Sequence, residues 1–304
     1  MPDSAEMKDT KQQTQNTGDY IEGVSLWEDA WRRLKHNRMA MLGGVLLLLI
    51  VILCILSPWI APYPYWEIHH EDANLGPCGR YWFGTDGLGR DLFSRVLFGG
   101  RISLMVGVVA TTVSLLIGVT YGALSGYLGG RVDNVMMRFV DLLYGLPFMF
   151  FVIILVVVFG RNIINLFIAL GAVQWLTMSR ITRGQALSIR AKEYIMAART
   201  TGASMPVILF RHVVPNLLGP IVVYATLTVP AVMLEEAFLS FLGLGVQAPM
   251  ASWGSLASEG IATIEYYQWQ IFFPGVALAA TLFALNFLGE GLRDAIDPQM
   301  KDKS

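Results

Sequence analysis

Charged side chains are scarce in this sequence: Asp, Glu, Lys and Arg make up 15% of its 304 residues, against 54% hydrophobic. Soluble domains carry about a quarter charged residues, so an ordinary soluble core is excluded as the destination for this much apolar surface. Sulfur is scarcer still. Cys54 lies in an apolar run and Cys78 in a polar stretch, which gives no disulfide framework. Four histidines, His36, His69, His70 and His212, form no metal constellation, and the adjacent pair lacks further ligands. The phosphate loop Gly-x-x-x-x-Gly-Lys-[Ser/Thr] is missing, so the chain should bind no nucleotide of its own and carries no cofactor. No nucleophile–base cluster suggests an enzyme, and no basic–aromatic patch suggests nucleic acid. The net charge of −1 is uninformative because the charges are segregated along the chain.

What the sequence has in quantity is long apolar runs. Crossing about 30 Å of hydrocarbon takes roughly 20 apolar helical residues. Six segments qualify: Ala40 to Ile60, Ile102 to Leu124, Leu142 to Phe159, Ile163 to Met178, Leu217 to Phe241 and Ile271 to Leu288. The fourth is the shortest and carries Gln174. Strict apolar–polar alternation, the mark of a membrane barrel, is lacking, so the expected class is all-α, a polytopic membrane protein with six transmembrane helices. The first run starts too late and is too long for a cleaved signal.

Lys and Arg decide the orientation. Segments 1–39, 125–140, 179–215 and 289–304 hold 6, 2, 6 and 3 of them, 17 in all, against 4 in 61–100, 160–162 and 243–270. Both termini are therefore expected on the cytoplasmic side. Residues 1–24 read as a disordered cytoplasmic tail and 25–39 as an amphipathic helix. Ser25 and Glu28 form a capping-box pattern, and Trp27, Ala30, Trp31 and Leu34 fall at helical spacing among Arg32, Arg33, Lys35 and Arg38. Such a helix is either an elbow clasping a partner subunit or a surface anchor. The first span occupies 40–60. An outer loop with an interfacial helix follows over 61–101, a core over 102–290 and a cytoplasmic tail over 291–304.

Two internal patterns stand out. Ala110, Ser114, Gly118, Gly122 and Gly126 place a small residue at every fourth position of the second span, a stripe that lets helix backbones approach closely in lipid. Between the fourth and fifth spans, residues 179–215 read as a long polar loop. Within it 190–201 are good helix formers, Gly202 is a C-terminal stop, and Ser204 with Pro206 starts the helix leading to Pro215. Ala197, Ala198 and Gly202 suggest a close-packing side that inserts into a groove of a soluble partner.

Met196-Ala197-Ala198, three residues, Gly202, nine residues and His212-Val213-Val214-Pro215 resemble the coupling loop of binding-protein-dependent ABC importer permeases. The family pattern is Glu-Ala-Ala, three residues, Gly, nine residues, then Ile, any residue, Leu-Pro. Met196 stands where the family has Glu, and Glu193 one turn earlier is the nearest carboxylate able to replace its contact. The stretches Phe83 to Asp91, Gly100-Arg101-Ile102-Ser103, Phe241 to Gly245, Ser252-Trp253-Gly254 and Gly291 to Pro298 resemble the peptide/nickel group. Ser25-Leu26-Trp27, His36-Asn37-Arg38 and Phe148 to Phe151 resemble most the C subunit of oligopeptide permeases.

The resemblance, which runs from about Ser25 to Pro298, implies a type I ABC importer permease fold in the bacterial inner membrane. It implies a homologous second permease, two ATPase subunits that bind the ATP, a periplasmic or lipid-anchored binding protein and a peptide substrate. It also makes Glu193, Met196, Ala197, Ala198, Gly202, His212 and Pro215 the ATPase-coupling loop. A dipeptide or other small-solute permease and a secondary carrier are the competing readings; the carrier would show titratable chains and broken helices at mid-membrane.

Three groups of charged residues remain. Leu88, Leu92, Phe93, Val96 and Leu97 share a face of an expected interfacial helix from Gly87 to Phe98, with Asp91 and Arg95 one turn apart and able to pair. With Asp86 and Arg90 they are candidates for the outer gate or binding-protein side. Glu235 and Glu236, in the outer third of the fifth span, are candidates for a cavity wall, because an acid in hydrocarbon faces a cavity or a partner; the alternative is pairing with an arginine such as Arg101. Asp141 is expected to pair with Arg138 or an arginine of 179–215. Gln174 and Asn286 are expected to join helices.

Overall fold

A computed structural model describes residues 26–296, most of which lie in helices. The capping-box Ser25 and the tails at 1–24 and 297–304 lie outside the described residues. Helix α1 (Leu26–His36) and α2 (Arg38–Ile55) meet at Asn37, whose side chain accepts the Ala40 N–H at 3.1 Å and caps α2. The 18 residues of α2 extend about 27 Å; a single turn, Ser57–Ile60, completes the apolar run. Ala30 and Leu34 of α1 are buried with Ala40 and Ala295, while Trp31 stays exposed with Lys35 over its ring.

Helix α3 (Leu92–Leu128) has 37 residues, and α4 (Gly130–Tyr144), α5 (Phe148–Phe159) and α6 (Ile163–Arg190) follow. The small-residue stripe finds its partner inside the chain. A Cβ on Gly118 would sit 2.6 Å from Met178 Cβ, and one on Gly126 would sit 2.6 Å from the Arg183 carbonyl oxygen. Gly122 faces the Ser179 carbonyl in the same way. The α3–α6 seam is thus closed backbone to backbone, with Val106, Ala110, Leu166, Leu170 and Val173 in the core beside it.

Beyond α6 come a short helix α7 (Glu193–Thr200), a turn at Met205–Ile208, a π-helical turn at Leu209–Val213 and α8 (Val214–Phe241). Helix α9 (Trp253–Ile261) opens on a capping box at Ser252 and Ser255, and α10 (Trp269–Ile296) closes the described chain. Gly43 lets α2 lie against α10, where an added Cβ would meet the Ala284 carbonyl at 2.8 Å.

The expected spans need several corrections. Five helices are long and apolar enough to cross a membrane, or six if α4 and α5 count as one bent span. Leu142 to Phe159 is not one straight helix: α4 and α5 meet at 83°. Pro147 has no N–H to continue the ladder and restricts Leu146 to non-helical angles. The 12 residues of α5 reach about 18 Å, short of a bilayer core. The polar loop expected over 179–215 is also shorter. Its first third, to Arg190, continues α6, because polar side chains end a hydropathic run without ending a helix. Helix α10 likewise continues past residue 290 into the expected tail.

Candidate functional site

At one end of the bundle, residues 61–91 form a strap without regular strands. Thr85 bridges Asp91, Tyr81 donates its hydroxyl to Asp72 at 2.7 Å, and Phe83 stacks on Phe273 of α10 at 3.9 Å. Burial and the neighbouring Asp72 carboxylate push the Tyr81 hydroxyl up, which keeps it a proton donor. Gln270 at the start of α10 donates to Asn74 Oδ1 at 2.8 Å and to the Thr85 carbonyl at 3.1 Å.

The expected helix Gly87–Phe98 is not a separate interfacial element. It begins at Leu92 and runs unbroken into the second span, with Leu92, Val96 and Leu97 turned into the core. Gly99 and Gly100 do not break it; they admit Leu256 and Trp253 of α9, whose ring would stand 2.6 Å from a Cβ on Gly100. The Trp253 indole donates to the Val96 carbonyl at 2.9 Å, and its backbone N–H to Ser103 Oγ at 2.9 Å.

Asp91 and Arg95 do not pair. Asp91 is the N-cap of α3 and accepts the Ser94 N–H at 2.8 Å. Burial pushes its carboxyl up, and the Ser94 donors pull it partly back. Arg95, 1% exposed, instead bonds Asp86 and reaches Glu259 of α9 at 2.7 Å. Arg90 joins the same group, with Nε donating to Asp86 at 2.7 Å and Nη2 to Glu259 at 3.4 Å. Two guanidinium groups and two carboxylates so neutralise one another and fasten strap, α3 and α9 together. Glu259 was missed in the sequence. It lies in 243–270, a segment with no Lys or Arg, and the two arginines across the bundle were its only outward sign.

Along the inner wall, Glu235 and Glu236 part company. Glu236 is 1% exposed, its Oε1 accepting from both Ser240 at 2.8 Å and Ser252 at 2.7 Å; it holds α9 to α8 and is not among the residues lining the cavity beside Glu235. Glu235 lines a cavity of about 440 Å³ with Tyr144, Pro147, Phe151, Gln174 and Thr177, at the α4–α5 break. Its Oε1 accepts from Gln174 at 2.6 Å, which joins α8 to α6 as expected of Gln174, while Oε2 is enclosed without a partner. Neither acid meets Arg101, which lies over the Phe98 ring at 5.6 Å. Asn286 is exposed on α10 rather than held between helices. Asp141 bonds Arg180 at 2.7 Å, one of the arginines of 179–215.

At the opposite end, α7 lies against the bundle with one face exposed. Glu193, Met196 and Ala197 are exposed, whereas Ala198 packs inward beside the fully buried Ile195, so the two alanines do not share one packing side. Ile195 sits among Ala123, Tyr127, Ala186, Ile208 and Leu217. Arg199 lies over the Tyr127 ring at 4.6 Å and donates to its hydroxyl at 3.3 Å. Gly202 is exposed with φ +82° and ends α7 in a Schellman turn: its N–H bonds the Arg199 carbonyl, and Ala203 N–H the Ala198 carbonyl, both at 3.0 Å. His212 lies in the π turn and Pro215 in the first turn of α8. Proline lacks an N–H and crowds the carbonyl four residues back, and one wider turn absorbs both effects. The Asn216 side chain supplies a donor to the His212 carbonyl at 2.6 Å. Among the described residues no group of acidic, His and Cys side chains could hold a metal ion, and both cysteines are free.

Residues 118–302 match the family described as binding-protein-dependent transport system inner membrane component, and 25–77 match the N-terminal TM domain of oligopeptide transport permease C. The chain is 52% identical to the oligopeptide transport system permease protein OppC of Escherichia coli (strain K12), over 92% of this chain and 93% of that one. It is 48% identical to OppC of Haemophilus influenzae, over 92% and 90%. It is 46% identical to the dipeptide transport system permease protein DppC of Bacillus subtilis, over 91% and 87%. With its array of apolar helices, this multi-pass membrane protein belongs to the family of binding-protein-dependent transport system inner membrane components.

Proposed function

We propose that the chain is the channel-forming permease subunit of an ATP-driven importer that moves oligopeptides across a bacterial inner membrane. It works with a homologous second permease, two ATPase subunits that bind the ATP, and a peptide-binding protein on the outer side. The chain contributes no cofactor and no hydrolytic chemistry. Oligopeptide permeases at 48% and 52% identity support the substrate class; the dipeptide permease at 46% supports dipeptides as the second reading. Both termini and α7 face the cytoplasm, following the Lys and Arg distribution. The strap faces outside.

The observation that carries the mechanism is α7 itself: a helix of eight residues exposed at the cytoplasmic end and rooted in the bundle by one buried side chain, Ile195. An ATPase closing on Glu193, Met196 and Ala197 pushes Ile195 against Tyr127 of α3 and Leu217 of α8. The push then passes along α8 to Glu235 at the cavity. Through the π turn, α8 can change its angle without losing its entry to the membrane. At the far end the charge cluster of Asp86, Arg90, Arg95 and Glu259 holds the outer ends of α3 and α9 as one body, which makes it the frame against which a gate works rather than the contact with the binding protein.

Reconstitution with the partner subunits tests this. Gly202→Trp places a bulky residue at φ +82° on the docking side, at a conformational cost of about 1–2 kcal/mol, and should abolish ATPase binding and peptide-stimulated ATP hydrolysis together. ATPase binding and coupling unchanged from wild type would remove α7 from the mechanism.

A further inference from the structure

Glu235 is a carboxylate on the cavity wall that is left half-served. Asp133 has Arg183 and Ser125, Asp141 has Arg180, and Glu236 has two serines. Glu235 has a single neutral donor, Gln174, and its second oxygen is enclosed with no partner. A buried polar group without its hydrogen bonds is costly, and ionisable groups kept at membrane depth mark substrate and ion paths. Arg180, which lies over the ring of the cavity residue Tyr144 at 4.2 Å, already serves Asp141.

We propose that Glu235 is a way-station for the ammonium group of a passing peptide, bound in the cavity at the α4–α5 break. An ionised carboxylate only accepts hydrogen bonds, and an ammonium only donates them, three at a time. The hydroxyls of Tyr144 and Thr177, on the same cavity wall, offer the remaining acceptors. The other walls are apolar, including Leu143, Phe151 and Val173, which suits side chains of varied shape. An α-ammonium is the one positive group every unblocked peptide carries whatever its sequence, so one carboxylate serves a broad substrate range. The volume, about 440 Å³, holds the terminal residues of a peptide rather than a whole one. The inference rests on the peptide-import reading and names which part of the substrate the site takes.

The test uses the complete importer in proteoliposomes, with trialanine and N-acetyl-trialanine as probes, each at a concentration that saturates the binding protein. In Glu235→Gln the ratio of trialanine to N-acetyl-trialanine transport should fall about five- to tenfold, the loss expected for one charge-assisted hydrogen bond. Glu235→Asp should restore most of it. In the unaltered protein, trialanine should protect Glu235 from modification by a hydrophobic carbodiimide, read by mass spectrometry, and the acetylated peptide should not. An unchanged ratio, or transport of both probes falling together, overturns the proposal and assigns Glu235 to packing or to the second permease. Equal protection by both probes overturns it too. A wild-type importer that moves neither probe removes the peptide reading itself, and this proposal with it.

Discussion

The two ends of α3 are built in opposite ways. Its Leu92 end is locked: Asp91 caps it, Arg95 is buried against Asp86 and Glu259, and Trp253 is bonded to Val96 and Ser103. Its Leu128 end meets α7 through one buried isoleucine and one arginine over a tyrosine. If α7 takes up force from an ATPase as proposed, this asymmetry is what the transfer needs. A charge cluster that leaves few options holds one end as a fixed frame, while the other end rests on an apolar socket and one hydrogen bond from Arg199 to Tyr127. The π turn beside Pro215 adds a second soft point at the same end.

That contrast can be broken from either side. The largest effect is expected at the locked end. Asp86→Ala leaves Arg95 buried with only half-exposed Glu259, and should cost about 3–5 kcal/mol, the loss measured when one partner of a buried ion pair is removed. A lowered unfolding midpoint of the purified complex would register it, and a change within error would show that the cluster is not a clasp. Ile195→Ala comes next. Emptying a fully buried site costs about 2–5 kcal/mol, but here the loss should be local: hydrogen exchange quickens over 193–204 while 92–110 stays protected, and ATP hydrolysis loses its response to peptide. Equal deprotection of both regions would abolish the contrast. Tyr127→Phe is the mildest. It keeps the ring under Arg199 and removes one hydroxyl acceptor, worth about 0.5–1.5 kcal/mol, and should weaken coupling only modestly without changing assembly.

The sequence disclosed what depends on local chemistry. Gly118, Gly122 and Gly126 announced a close seam, Gly202 a helix stop, and Ser204 with Pro206 a helix start, because each residue type carries its own backbone preference. The Gly145–Pro147 break between α4 and α5 went unread, because it lies inside an apolar run of the right length for a span. Helix α6 outran its hydrophobic stretch to Arg190 because hydropathy reports the solvent around a helix and not the helix. Long-range partners were out of reach. Arg95 reads as the natural mate of Asp91 by spacing, but Asp91 is consumed by the helix start, and of Arg95's two partners, Asp86 and Glu259, the second lies 164 positions away. Glu235 and Glu236 look alike as neighbours in sequence. The 100° between successive helical residues turns one onto Ser252 and the other to the cavity, a difference visible only once α9 is in place.

The central claim is that α7 is where the ATPase takes hold. A cysteine at exposed Ala197, in a chain whose exposed Cys78 is replaced by serine, tests it most directly by thiol-to-amine cross-linking with a maleimide–succinimidyl ester in membranes that contain the whole transporter. The account predicts a cross-link from Ala197→Cys to an ATPase subunit whose yield changes with ATP, and none from a control cysteine at exposed Leu116, placed mid-helix in α3. An intact, hydrolysing complex that gives no cross-link from Ala197→Cys, nor from Met196→Cys, would contradict it.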